Sequence, residues 1–213
     1  MFDVAKHLGA ITRTVEDSTH EGTPVKVVVA SRTYPTDVDD LWDAVTDPAR
    51  IARWFAPVTG DLRLGGRFQV ENNAGGEVLT CDQPTHLAIT WEFAGDTSWV
   101  DVHLAEAGEG ATLTLRHAAD VRDNPHMTTY GPGAVGVGWE LGLMGLAEHL
   151  ATGAPIAHEE VEGWGASADG QGFMSASATA WGEADALASG NPAASRAAAQ
   201  RTAAFYTGAE PPA

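Results

Sequence analysis

The sequence predicts an α+β fold: a curved antiparallel sheet of about six to seven strands wrapped on a long C-terminal helix, with two short helices after the first core strand and a helical extension behind. Three observations carry this expectation. Between residues 67 and 117, short segments alternating apolar and polar residues recur between turn signals, the pattern of hairpin-linked strands. Gly131–Leu150 (GPGAVGVGWELGLMGLAEHL) is apolar almost all round, with Glu140 and Glu148 marking its polar strip, so it reads as a helix covered on more than one side. Beyond residue 155 the composition turns to Ala, Gly and Ser, which separates a domain over 1–155 from an extension over 156–213 that packs on it or on a partner chain.

Taken in order, Met1–Gly9 reads as a ragged terminus or a short helical turn. Ile11–Val15 alternates as a half-buried strand does, and Val25–Arg32 (VKVVVASR) is rich in β-branched residues; the two suit a hairpin. Thr36 is placed to cap a helix with acids in its first turn and Val38, Leu41, Trp42 and Val45 on one face. Asp47-Pro48 starts a second short helix, an acidic cap followed by proline at the first helical position, running through Ile51 to Trp54-Phe55. Gly60–Gly66 reads as a turn-rich link. Strands follow at Arg67–Glu71, Glu77–Cys81, Leu87–Phe93, Ser98–Leu104 and Ala111–His117. Residues 120–132 read as a loop. In the extension, helices are expected over about Gln171–Leu187 and between Asn191-Pro192 and Gly208, with Glu210–Ala213 fraying.

The long helix carries an anomaly. Gly138, Gly142 and Gly145 are spaced by four and three and share one face, and each glycine inside a helix costs roughly 0.5–1 kcal/mol relative to alanine. The compensation is either close backbone approach to the sheet or room for a ligand.

Composition narrows the function classes. With 44% apolar residues and seven tryptophans, the chain of 213 residues can fill a core or wall a cavity. A formal net charge of −17 argues against nucleic acid and anionic membrane as partners, since phosphate binding needs clustered positive charge. Cys81 is alone, which excludes an intrachain disulfide and reads as a partly buried strand residue. No stretch approaches a membrane span and MFDVAKHLGA is no signal peptide, so the expected location is the cytoplasm.

Several stretches in this order carry a family resemblance: Ser31-Arg32-Thr33-Tyr34, Leu41-Trp42-Asp43-Ala44-Val45-Thr46-Asp47-Pro48, Arg53-Trp54-Phe55, Gly65-Gly66-Arg67-Phe68, Gly76-Glu77-Val78-Leu79, Leu87-Ala88-Ile89-Thr90-Trp91 and Gly138-Trp139. Over about Val25 to Leu150 the chain resembles the START/polyketide-cyclase-like (SRPBCC) superfamily, and within it the family of the C-terminal domain of the activator of heat-shock-protein ATPase. The resemblance implies a helix-grip fold with a cavity between sheet and helix, many relatives that bind apolar small molecules, some that catalyse cyclisation or dehydration, and no shared catalytic residue.

The candidate cavity wall is Trp54, Phe55, Phe68, Trp91, Phe93 and Trp139 with Gly138, Gly142 and Gly145, and the first functional expectation is binding of a small apolar or aromatic ligand, as carrier or sensor. Plain core is the competing role for the aromatic residues. The second expectation is an enzyme of cyclase, dehydratase or hydrolase type using Asp101, His103 or His117, which requires at least two of them inward. The third is a co-chaperone-like interaction module with a chaperone partner. Homodimerisation through the helix or the extension is a further arrangement. The eight histidines show no strict metal spacing, and neither metal nor cofactor is expected; His149 lies in register with the glycine stripe, where it either caps a pocket or ends the helix.

Overall fold

Alternate residues along each strand point to opposite faces, and burial follows that alternation closely enough to define the sheet. A computed structural model of the chain describes residues 3–122 and 124–210. Pro211–Ala213, part of the segment expected to fray, lie outside the described residues.

Among the described residues the elements run α1 (Val4–Gly9), β1 (Thr12–His20), β2 (Thr23–Tyr34), α2 (Val38–Thr46), α3 (Pro48–Ile51), β3 (Val58–Gly60), β4 (Arg67–Val70), β5 (Gly75–Asp82), β6 (His86–Phe93), β7 (Asp96–Ala107), β8 (Gly110–Asp120), α4 (Pro125–Tyr130), α5 (Gly133–Thr152), α6 (His158–Ala166), α7 (Ala168–Ser189) and α8 (Pro192–Thr207). The strands form one curved antiparallel sheet in the order β1-β2-β8-β7-β6-β5-β4-β3, and with the long α5 this is the α+β helix-grip fold. No described helix is long and apolar enough to cross a membrane.

Several boundaries differ from expectation. The sheet has eight strands because Val58–Gly60, at the edge of the segment read as a link, pairs with β4 in the register Val58↔Val70. Three residues are too few for periodicity to register. Asp37, not Thr36, caps α2, accepting from the Asp40 amide; the Thr36 hydroxyl instead donates to the Asp40 carboxylate. α3 stops at Ile51 and the chain continues to Phe55 in looser turns. The loop over 120–132 contains α4, capped by Asn124 with Pro125 in its first turn, and α6 precedes the first helix expected in the extension. Cys81 is exposed rather than partly buried, since it lies at the far end of β5, next to the last residue.

Two compact units are present: residues 1–30, 120–141 and 157–213 form one, and residues 31–119 and 142–156 the other. In the first, α7 packs against α8, β1, α1 and α6. Trp181 of α7 is fully buried against Gly136 of α5, where any Cβ would overlap its indole. Arg13 forms a two-pronged pair with the buried Glu140 carboxylate, Nε to Oε1 at 2.5 Å and Nη2 to Oε2 at 2.8 Å. Three side chains of α8 reach backbone carbonyls: Arg201 Nε to Thr129 at 2.6 Å, Thr202 Oγ1 to Tyr130 at 2.9 Å and the Tyr206 hydroxyl to Ala134 at 2.7 Å.

In the second unit, β3 to β8 form an antiparallel meander. Phe68, Val70 and Val78 make a core cluster against which Phe55, Val58, Leu62, Leu87, Ile89 and Trp91 pack. Asp47 closes α2 and opens α3, accepting from the amides of Ala49 and Arg50 at 2.7 and 3.0 Å.

Candidate functional site

In the second unit the inner sheet face is set by register. Val100, Val102 and Leu104 of β7 stand opposite His117, Leu115 and Leu113 of β8, and Trp91 of β6 stands opposite Ser98 of β7. Across β6, β7 and β8 these positions are apolar except where His117 and Ser98 meet. His117 is 5% exposed, and its Nε2 lies 2.8 Å from Ser98 Oγ, whose proton goes to the Trp91 carbonyl 3.0 Å away. Nε2–H is therefore the donor to the hydroxyl. Burial lowers the His117 pKa from the ordinary 6.5 to about 4, so the ring is neutral at neutral pH. An imidazole that donates to a serine does not act as its base, so the pair offers hydrogen bonds within an aromatic setting rather than an activated nucleophile.

On β2, hydrogen bonds between Ser31 and Thr114 and between Thr33 and Thr112 put those four hydroxyls on the outer face. Arg32 and Tyr34 then point inward, and both are buried. The Arg32 guanidinium carbon lies 5.2 Å from the Tyr34 ring centroid, and the Tyr34 hydroxyl donates to Leu143 O of α5 at 3.2 Å. Burial pushes the Tyr34 phenol well above its usual range, with the Arg32 charge acting in the opposite direction. Arg32 was not among the candidates read from the sequence. Its signal was its phase: an arginine two residues from Ala30 and from Tyr34 falls on their face.

The C-terminal half of α5 brings glycines against the aromatic pair Trp54 and Phe55, whose ring centroids are 5.6 Å apart. A Cβ at Gly142 would meet Phe55 and Trp54 ring atoms at ordinary contact, 3.7 Å at the nearest; at Gly145 it would stand 2.6 Å from the Trp54 carbonyl oxygen. Trp54 is fixed by its indole N–H, which donates to Ala44 O at 2.9 Å, and Arg53 ties the segment to the end of α5 through Gly153 O at 2.6 Å. His149, four residues beyond Gly145 and on the same helix face, is only 2% exposed. Its Nδ1 donates to Ala154 O at 3.1 Å, while its Nε2 is buried with no hydrogen-bond partner among the described residues.

The remaining candidates divide between this face and other places. Gly138 and Trp139 belong to the first unit, where a Cβ at Gly138 would stand 3.0 Å from the Tyr206 hydroxyl. Phe68 and Trp91 join the core cluster. Phe93 is 56% exposed, at the very end of β6 before the tight turn at Ala94. Asp101 and His103 sit on the outer face of β7, out of phase with the buried Val100, Val102 and Leu104, so of the three catalytic candidates only His117 points inward. The outer face instead joins Asp101 and His103 to His86 of β6, which the sequence reading did not single out.

A family model described as Activator of Hsp90 ATPase homolog 1-like protein matches residues 35–151. Among solved structures, the chain is similar to CalU16 from Micromonospora echinospora. The crystal structure of that protein is 34% identical, with 80% of this chain and 97% of CalU16 covered and a TM-score of 0.63. Its solution structure gives 31% identity, 84% and 96% coverage, and a TM-score of 0.71. DynU16, a protein in the dynemicin biosynthetic locus, is 27% identical over 61% of this chain and 48% of its own, with a TM-score of 0.53. None of the curated proteins compared matches.

Proposed function

The chain belongs to the Activator of Hsp90 ATPase homolog 1-like family, of the SRPBCC type, and from that premise we propose that it binds a small apolar or aromatic molecule as a cytoplasmic carrier or sensor. The site is the inner face of the second unit, where Trp54, Phe55, Phe68 and Trp91 supply apolar surface, Gly142 leaves the helix bare over the Trp54 and Phe55 rings, and Gly145 lets the helix settle on the Trp54 carbonyl. One observation carries the reading: the buried His149 Nε2, in line with those glycines and with no hydrogen-bond partner among the described residues. A buried polar atom left unsatisfied costs about 1–3 kcal/mol, and a ligand hydroxyl or N–H removes that penalty. His117 with Ser98, and Arg32, add polar groups on the same face, so the ligand is an aromatic or fused-ring compound with a few oxygen or nitrogen substituents. DynU16, from a biosynthetic locus, supports a small molecule as occupant.

Native mass spectrometry of the purified chain tests this, with titration of an apolar fluorescent probe. The expected result is a co-purified molecule, or saturable probe binding that Gly142→Leu abolishes in a folded protein. Absence of both a mass increment and saturable binding overturns the proposal. A second reading, a module that engages a chaperone, draws on the family's description and on the net charge of −17, which suits a basic partner surface. Failure of purified chaperone to bind the chain at low salt removes it.

A further inference from the structure

On the outer sheet face, His86 of β6 and His103 of β7 stand directly opposite each other, and Asp101 lies two residues before His103 on the same side. His86 Nε2 is 2.7 Å from Asp101 Oδ1, and His103 Nε2 is 3.7 Å from the same oxygen. The two imidazoles stack, with centroids 4.2 Å apart and planes 9° from parallel. One ligand atom from each of the three side chains falls within a sphere where all separations are 4.8 Å or less. Ligands held about 2.0–2.2 Å from a tetrahedral zinc ion are themselves about 3.3 Å apart, so His86 and Asp101 need to part slightly and His103 to close slightly.

We propose that His86, Asp101 and His103 form a divalent transition-metal site, with zinc the metal it fits best. Two imidazoles and one carboxylate are the donor set of a three-ligand zinc site, and the outward aspect leaves the fourth position to water. The ring stack must splay so that both Nε2 lone pairs converge. His103 can do this, because its side chain is 52% exposed and has room to rotate. Ala88, opposite Asp101 on β6, places no long side chain over the carboxylate. Asp82 of β5 stands opposite His86 on this face and adds negative charge; Arg116 of β8 stands opposite Asp101 and opposes the cation. The ion would clamp β6 to β7 on the side away from His117, which makes its role that of a staple or a metal-responsive element.

The experiment uses the full chain, tag-free and stripped with chelator, titrated with Co²⁺ and then Zn²⁺. Expected are one saturable site per chain, a tetrahedral cobalt absorption band displaced by zinc, and a melting midpoint that rises with zinc. His103→Ala and Asp101→Asn should each weaken binding at least about tenfold and cancel the thermal shift. His126→Ala, on α4, should change neither. His103 is half exposed, so its replacement leaves the fold intact, and circular dichroism checks that. No saturable binding, or equal binding in the His103→Ala and Asp101→Asn variants, overturns the proposal and leaves a hydrogen-bonded surface cluster.

Discussion

The backbone of Gly145 rests on Trp54: a Cβ at that position would stand 2.6 Å from the Trp54 carbonyl oxygen, a separation real side chains do not tolerate. At Gly142, less than one turn earlier, the same atom would meet nothing nearer than 3.7 Å. Substitution by alanine should therefore have opposite signs at the two sites. Gly142→Ala gains helix propensity and is expected to stabilise the chain by about 0.5–1 kcal/mol. Gly145→Ala forces the helix off the Trp54 segment and is expected to destabilise it by about 1–3 kcal/mol. Urea denaturation of both variants checks this; equal signs would mean that the helix adjusts without resistance.

A longer side chain at Gly142 reaches the Trp54 and Phe55 rings. Gly142→Leu is expected to lower affinity for an apolar probe at least about tenfold, since the new branches occupy the space over the rings, while Gly142→Ala retains it. Tryptophan fluorescence during the titration gives the readout. Unchanged affinity in the leucine variant would place the binding surface elsewhere.

His117 makes stability depend on acid. Its folded pKa is about 4 and its unfolded value near 6.5, so between those values the unfolded chain binds the extra proton. Stability therefore rises with pH through that window and falls as pH drops from 6.5 towards 4. The difference corresponds to roughly 3 kcal/mol, lost progressively over the window. His117→Gln keeps a hydrogen-bonding group without the titration, and its stability should be flatter between pH 6.5 and 4. Parallel curves for the two proteins would show that other groups govern the acid limb.

The Arg13–Glu140 pair is buried on the carboxylate side, so removing one partner leaves a charge in a poor solvent. Arg13→Ala is expected to cost about 3–5 kcal/mol. Replacing both at once, Arg13→Met with Glu140→Leu, should recover most of that loss, and thermal denaturation of the single and double variants measures the difference. A double variant as unstable as the single one would show that Arg13 acts mainly through the Ile11 and Leu8 carbonyls it also reaches at 3.1 Å.

Most of the architecture was legible because it rests on local chemistry. Alternation in Leu87–Phe93 and Ala111–His117, and the caps at Asp47-Pro48 and Asn191-Pro192, each announce an element within a few residues. The same cap chemistry stands at Asn124-Pro125, but PHMTTY has no apolar stripe to mark a helix, so from sequence α4 reads as loop. The site was less legible. That Asp101 and His103 share a face followed from spacing; that the face is the outer one, and that His86 joins them, depends on a register no single strand reports. Gly142 and Gly145 share a helix face, yet one meets rings and the other a carbonyl, a distinction set by where the chain after α3 returns.

The carbonyls of Thr129, Tyr130 and Ala134 receive their donors from Arg201, Thr202 and Tyr206, some seventy residues later in the chain. During synthesis the start of the glycine-rich helix emerges long before the groups that complete it. A nascent chain halted short of residue 201 holds that junction open to solvent, so α8 acts as the latch, and truncation before residue 201 should be felt at residues 129–134 before anywhere nearer the cut.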